Sequence, residues 1–483
     1  MRRIFCLLFT FISFHSIAQT DDNWSLERAV NYAVEHNLSI QQSVLNARLS
    51  KLTYLQSTVS QLPNINGSAA RGRSFGRSVD PTTNQFVSGS SYDFMSLSGN
   101  ADVLLFGWFQ KRNTIRSNNF TSQAAQADLS QLTNDISLNV ATGYLRALLA
   151  QQQISVSEKQ VSLSKAQLEQ TKKFAEAGKV PELNVAQLES QLANDSANLI
   201  GAYTEYTAAM LDIKALLNFN FQTPFEIAAP NIDIASLTSS LTSSPEDIYD
   251  VAVKNYGTVK SSTLKLKAAE RHLWSARGSL LPQLGMGAQL GSNWSSTVKD
   301  VTGYNVTGYA PNGSYAQYVI PGIGTQVQLP VYQPMVNYTT SDVAMKDQFD
   351  RNFRQTVSLS LNVPIFNGWQ SQLAVKQAKF NMLSQQIAKT QAEVKLKQDI
   401  YKAHNDAKNS LQKYYAAERA NDAAQRAYDF AKKRYDLGLT NTIDYLITQN
   451  TLYNASSNMA KAKYDLIFKL KVIDYYLGKE LKL

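Results

Sequence analysis

Cysteine is almost absent from this chain. The single copy, Cys6, lies in an N-terminal stretch that reads as a secretory signal, so the mature remainder carries no thiol chemistry and no disulfide. Beyond that stretch no run of about 18 consecutive apolar residues occurs, which excludes a membrane-spanning helix. Histidine is scarce. His36, His272 and His404 stand far apart, with no H-E-x-x-H spacing, so no metal site is expected. There is no G-x-S-x-G, no phosphate loop and no paired-glycine dinucleotide word. An enzyme is disfavoured, and no cofactor is expected. The formal charge of +9 is spread thinly over 483 residues without a basic patch, which disfavours nucleic acid as a partner. Proline is missing from residues 110–177 and again from 370–437, two stretches rich in Ala, Gln, Lys and Leu.

The first 18 residues have the parts of an export signal: Arg2 and Arg3, an apolar core from Ile4 to Phe14, and the small-residue site Ser16-Ile17-Ala18. Cys6 is not at the cleavage point, which argues against a lipidated N-terminus. An exported chain without a membrane helix is either soluble or inserted as a β-barrel, the other structure that satisfies its backbone in lipid.

The chain contains itself twice. "KKFAEAGKVPELN" (172–184) recurs at an offset of 260 as "KKRYDLGLTNTID" (432–444), with Gly178 over Gly438. "LLFGWFQKRNTIRSNNF" (104–120) matches "PIFNGWQSQLAVKQAKF" (364–380) at the same offset. Earlier, "QLPNINGS" (61–68) matches "LLPQLGMG" (280–287) at 219, so the second copy has gained 41 residues between Pro282 and Phe366. The expected organisation is a first repeat over 19–218, a joining segment over 219–243 and a second repeat over 244–483. An enlarged outer loop is expected at about 295–353, and a first outer loop near 75–93.

Each repeat reads as helix, strands, long helix, turn, shorter helix. The opening helices are placed at about 26–60 and 246–280, capped by Ser25 and by Ser244-Pro245-Glu246-Asp247. The long helices cover about 110–177 and 370–437, or ~100 Å at 1.5 Å per residue. In the first, Leu129, Leu132, Ile136, Val140, Tyr144 and Leu148 form an apolar stripe at helical spacing. Shorter helices follow at about 182–217 and 441–477, started by Pro181 and by Asn441. Two half-length helices end to end match one long helix, which gives columns suited to a tube or a coiled-coil array. The segment 219–243, with "TPFEIAAPNIDI", is too proline-rich for helix and is expected to pack on the helices.

The strands alternate. In 356–366, Val357, Leu359, Leu361, Val363 and Ile365 oppose Ser358, Ser360 and Asn362. Segments 95–105 and 284–294 do the same, and 64–74 more weakly. Small polar residues on one face and apolar residues on the other suit a transmembrane β-barrel, although a soluble amphipathic sheet has the same pattern. Four strands cannot close a barrel, so three copies with twelve strands are expected. The fold class is therefore mainly α with membrane β: a long α-helical tunnel plus a trimeric 12-stranded transmembrane β-barrel, built from two internal repeats.

In this order of elements, and in "RYDLGLTNTIDYLITQNTLYNA" (434–455) and "FAEAGKVPELNVAQLESQLA" (174–193), the chain resembles the TolC family of outer-membrane efflux proteins. The resemblance covers essentially the whole mature chain. It implies a homotrimeric, non-catalytic exit duct in outer-membrane lipid, with a tunnel across the periplasm. Its partners would be a periplasmic adaptor and, through it, an inner-membrane transporter of the RND or ABC class. It implies a gate at Asp444, Tyr435, Asn184 and Ile447. Asp444 could form a carboxylate ring in three copies, or serve only as a capping residue. Tyr435 would face Asn184 where some members have an Asp. Ile447 stands where a second acidic ring would be, so closure would rest partly on an apolar constriction. Adaptor docking falls on the turns Gly178, Lys179, Val180 and Gly438, Leu439, Thr440, whose glycines also read as plain left-handed C-caps.

A soluble periplasmic coiled-coil scaffold or adaptor is the alternative reading, disfavoured by two equal halves that each carry barrel-type strands. The insert 295–353 holds Tyr304, Tyr309, Tyr315, Tyr318, Tyr332 and Tyr338 among Gly, Pro and Asn. It reads as decoration of a barrel rim or as a ligand-contact surface.

Overall fold

The computed structural model describes residues 23–76, 78–79, 86–87, 91–230, 234 and 238–479. The expected signal at 1–18 and part of the first outer loop lie outside them. In chain order the elements are β1 (Asn23–Trp24), α1 (Leu26–His36), α2 (Leu38–Val59), β2 (Asn64–Ser74), β3 (Ser78–Val79), β4 (Phe86–Val87) and β5 (Tyr92–Phe106). Then come α3 (Gln110–Glu176), α4 (Glu182–Leu217) and β6 (Glu226–Ile227), followed by a 3₁₀ turn (Thr238–Thr242). The second repeat supplies α5 (Pro245–Asn255), α6 (Gly257–Gly278), β7 (Gln283–Ser295), β8 (Lys299–Val319), β9 (Gln326–Asp342), α7 (Met345–Arg351), β10 (Arg354–Asn362), α8 (Gln370–Asp436) and α9 (Thr442–Tyr476). Both long helices have 67 residues, ~100 Å each.

The chain divides into two compact units that cut across the repeats. One comprises Met1–Tyr54, Arg116–Glu270 and Lys379–Leu483, the other Leu55–Ile115 and Arg271–Ala378.

The first unit is helical. The apolar stripe of α3 becomes core: Ile136, Val140, Tyr144, Leu145 and Leu148 pack with Ala29 and Ala33 of α1, Ile213 and Leu217 of α4, and Ile467 of α9. A second cluster joins Ile248 of α5, Leu396 and Ile400 of α8, and Leu466, Leu470 and Ile473 of α9. Neighbouring residues of α9 thus serve the core of each repeat. Phe225 and Ile227 of the joining segment are buried beside Trp24. There β6 pairs with β1 in parallel, and the Tyr144 hydroxyl donates to the carbonyls of Trp24 (2.9 Å) and Ala228 (2.6 Å).

The expected caps form. Ser25 Oγ accepts from the Arg28 N–H, and Ser244 makes a reciprocal capping box with Asp247. The opening helices differ from expectation, since each is two helices, broken at Asn37 and, 219 residues later, at Tyr256. Asn37 has extended backbone, its Oδ1 accepts from the N–H of Ser39 and Ile40, and its Nδ2 donates to the carbonyl of Leu216 (2.8 Å). It closes α1, caps α2 and ties the break to the end of α4. In the second repeat Gly257 follows the break. A Cβ there would lie 2.7 Å from the Ala127 carbonyl, so only glycine lets α6 start this close to α3.

In the second unit, the four expected strands form one antiparallel sheet of order β10-β7-β5-β2. Rows across it alternate as the sequence does. Val357, Ala288, Ala101 and Ile65 share one row, and Ser358, Gly287, Asp102 and Asn64 the next. The apolar side chains of β10 stay bare: Val357, Leu359 and Leu361 are 67–69% exposed. Among the described residues, β2 and β10 have no partner on their outer edges. Strand β10 ends at Asn362, short of Pro364, which cannot donate to a ladder. The expected enlarged loop is regular structure instead. β8 and β9 form a long two-stranded ribbon and α7 follows, because the segment is rich in Tyr, Val and Thr, which favour extended chain.

Candidate gate and docking tip

Sequence dictates the turns at the ends of the long helices. In each repeat the helix ends in a left-handed glycine, Gly178 at φ +69° and Gly438 at φ +71°. The N–H of Gly178 donates to the Ala175 carbonyl and that of Lys179 to Phe174, both at 2.8 Å. Gly438 and Leu439 repeat the pattern onto Tyr435 and Arg434 at 2.9 Å. These are Schellman motifs at matching positions, and they satisfy the last carbonyls of both helices.

The turns line a cleft of about 290 Å³, walled by Lys179, Val180, Asn184, Tyr435, Gly438 and Thr440 among others. Asn184 and Tyr435 thus share a cleft, as expected of facing residues, but no hydrogen bond joins them. Tyr435 is 7% exposed, and its hydroxyl bonds Thr171 of α3 and Thr442 of α9, each at 3.2 Å. Burial of the ring turns the hydroxyl inward to these threonines. Its ring stacks on Tyr445 at 4.8 Å, and the Tyr445 hydroxyl meets that of Tyr428 at 3.2 Å. Burial, reinforced by Tyr428, pushes the Tyr445 phenol far above its ordinary value, so it stays neutral and able to donate. Leu446 packs with the tyrosine cluster and also with Leu168, Val185 and Leu188 of the first hairpin. It joins the two tips.

Asp444 occupies the third position of α9. Its N–H donates to Asn441 Oδ1 at 2.7 Å, while its carboxylate is exposed and forms no ion pair among the described residues. Ile447 is 60% exposed one turn on. Leu437, Leu439 and Ile443 are also more than half exposed, which leaves an apolar fringe on the tip.

Deeper in the hairpins a polar seam crosses the repeats, and no sequence motif signals it. Asp195 of α4, 2% exposed, accepts from Gln160 (3.1 Å), Ser164 (2.5 Å) and Gln191 (3.0 Å). Gln449 of α9 donates to Ser164, and Gln191 and Asn450 exchange hydrogen bonds. Nothing in the sequence marks the roles of Thr171 and Tyr428, or those of Thr442 and Tyr445, which lie within the quoted stretch 434–455.

A chain that repeats one strand–helix–turn–helix unit, with an alternating four-stranded sheet and helices of 67 residues, has the build of a channel protein. Within that class, the chain belongs to the outer membrane efflux protein family, whose model matches residues 29–218 and 248–478. It is thus a transport protein of the outer membrane. It is 22% identical over 457 residues to the alkaline protease secretion protein AprF of Pseudomonas aeruginosa, covering 92% of this chain and 82% of that one. It is 24% identical over 345 residues to the outer membrane protein TolC of Escherichia coli, covering 71% of this chain and 61% of TolC. Among solved structures it shares its fold with the outer membrane protein VceC of Vibrio cholerae. There the TM-score is 0.72 at 14% identity, over 94% of this chain and 96% of that one. The open-state MtrE channel of Neisseria gonorrhoeae matches with TM-score 0.71 at 16% identity, over 95% and 90%.

Proposed function

We propose that this chain is one subunit of a homotrimeric exit duct, in which three sheets close a 12-stranded barrel in outer-membrane lipid and the helices form a periplasmic tunnel. The observation that carries this reading is the four-stranded sheet, apolar side chains bare on one face and both edges unpaired among the described residues. Such a sheet is unstable alone in water and in lipid, and copies of itself complete it. The duct is passive. The paired tips form its gate, with Tyr435 bridging helices, Asp444 contributing a carboxylate from each copy, and Asn184 and Ile447 beside them. The turns at Gly178–Val180 and Gly438–Thr440, with their apolar fringe, dock a periplasmic adaptor joined to an inner-membrane RND or ABC transporter. AprF is named for protease secretion and the family for efflux, so protein and small-molecule cargoes both fit the same duct.

Membrane fractionation and planar-bilayer recording test this reading. The protein should leave the outer membrane only with detergent and cross-link as three copies. Asp444→Ala should raise conductance, by removing charge from the constriction. A folded monomer in plain buffer, indifferent to vesicles, would overturn the duct. Unchanged conductance in Asp444→Ala would leave that carboxylate as a helix cap alone.

A further inference from the structure

Residues 301–341 contain no charged side chain. Within them the register of β8 and β9 gathers five tyrosines on one face. Residues directly opposite share a face. Tyr304 lies opposite Tyr338, Val306 opposite Val336, Tyr309 opposite Pro334, Pro311 opposite Tyr332, and Tyr315 opposite Pro330. Tyr304 and Tyr309 are an odd number of residues apart and would point opposite ways in a regular strand. The register shift between Val306 and Gly308 turns Tyr309 back to the shared side. The other face is mixed: it carries Asn305, Asn337, Thr339 and Gln333 together with Met335, Leu329 and Tyr318, and so lacks the cluster of five tyrosines.

These tyrosines are 57–70% exposed. The edges of the ribbon are closed to a third strand. Pro311, Pro330 and Pro334 all lie on the tyrosine face, so their missing N–H groups fall in the pairs whose donors would point outward. What the ribbon offers is therefore its face. Its base is held firmly. The Gln348 side chain accepts from the Ser295 N–H (3.0 Å) and donates to the carbonyls of Ser295 (3.0 Å) and Val343 (3.1 Å). Arg351 forks onto Asp300 with two bonds of 2.8 Å.

A two-stranded ribbon this bare is marginal in water on its own. Five tyrosines of about 150–250 Å² each, nearly two-thirds exposed, present roughly 650 Å²; with the valines and prolines the face approaches ~800 Å², one side of a stable interface. We propose that the tyrosine face of β8–β9 packs against a second copy of this chain and clasps neighbouring subunits. The ribbon continues from β7, the second strand of a sheet whose two open edges call for further copies, so like ribbons are brought near one another. The face carries no charge, so like faces meet without repulsion. This inference rests on the proposed assembly of copies around one sheet.

The chain has no cysteine beyond Cys6, so single substitutions report cleanly. In the detergent-extracted oligomer, Tyr309→Cys and Tyr332→Cys should cross-link between subunits with a short bis-maleimide and resist a bulky water-soluble maleimide. Gln333→Cys, on the other face, should label freely and not cross-link. Replacing Tyr304, Tyr309, Tyr332 and Tyr338 together by Ser should leave an oligomer that falls apart at lower temperature in dodecyl sulfate. An intact oligomer in which Tyr309→Cys labels as freely as Gln333→Cys, without cross-links, overturns the clasp and leaves the duct standing. Protection of Tyr309→Cys only on addition of a glycan or peptide also overturns it, in favour of another occupant. Absence of any oligomer removes both readings.

Discussion

Tyr435→Phe removes one oxygen and nothing else from the tip. The ring stays stacked on Tyr445 at 4.8 Å, so packing is preserved. What is lost is a hydroxyl that bonds Thr171 on one side and Thr442 on the other, at 3.2 Å each. Each neutral bond is worth about 1 kcal/mol net, so losing both costs ~2 kcal/mol per subunit. If three subunits open together, that is ~6 kcal/mol, or about 10⁴ in the ratio of open to closed tips at 1.4 kcal/mol per decade. Single-channel recording in planar bilayers measures this directly, as a rise in mean conductance or open time. Thr171→Val deletes one of the two bonds at nearly constant volume and should give about half the free-energy change. If Tyr435→Phe conducts like the parent while remaining oligomeric, the tyrosine is packing only, and the gate lies elsewhere.

Tyr144→Phe should cost about 1–3 kcal/mol by depriving the Ala228 carbonyl of its donor, read as a lower denaturant midpoint and faster amide exchange in β6. The Tyr144 phenol, pushed up to about 12 by burial, stays protonated until strongly alkaline pH, so this contact should persist through the neutral range. Gly438→Ala places a side chain at φ +71°, costs about 1–2 kcal/mol, and should speed tryptic cleavage at Lys432–Arg434 roughly 5–30-fold. Glu246 is held below its ordinary 4.5 by the hydrogen bond from Lys397 and then that from Tyr401, and Asp247 below 3.8 by Ser244. Both values are lower folded than unfolded, so their stabilisation is complete above those ordinary values and is lost as pH falls through the folded ones. Glu246→Gln should therefore flatten the acid side of the thermal-midpoint profile.

Local chemistry and periodicity were enough to place most elements. The 67-residue helices, the glycine turns, the caps at Ser25, Ser244 and Asn441, and the four alternating strands all depend on residues near one another in the chain. Duplication helped, because an ambiguous segment in one repeat could be read from its partner, as with β2. The break at Asn37 is not legible in the sequence because nothing nearby in the chain marks it. A side chain that turns to cap its neighbours, and to reach Leu216 far away in sequence, leaves no local trace.

The tip was legible only as positions, not as bonds. Asp444 and Tyr435 both lie at the tip, yet the partners of Tyr435 are Thr171 and Thr442 rather than Asn184, because the packing of α3 beside α9 brings buried hydroxyls to the ring. The seam at Asp195 and the common face of the ribbon tyrosines likewise depend on register between distant segments. Sequence by itself determined the repeat, the two long helices with their glycine turns and the four alternating strands, since these follow from nearest-neighbour sterics and hydrophobic period. Tertiary structure alone decided which polar groups meet across the repeats and which way the β8 side chains point. Those depend on helix packing and on single-residue bulges, where a shift of one position reverses a face.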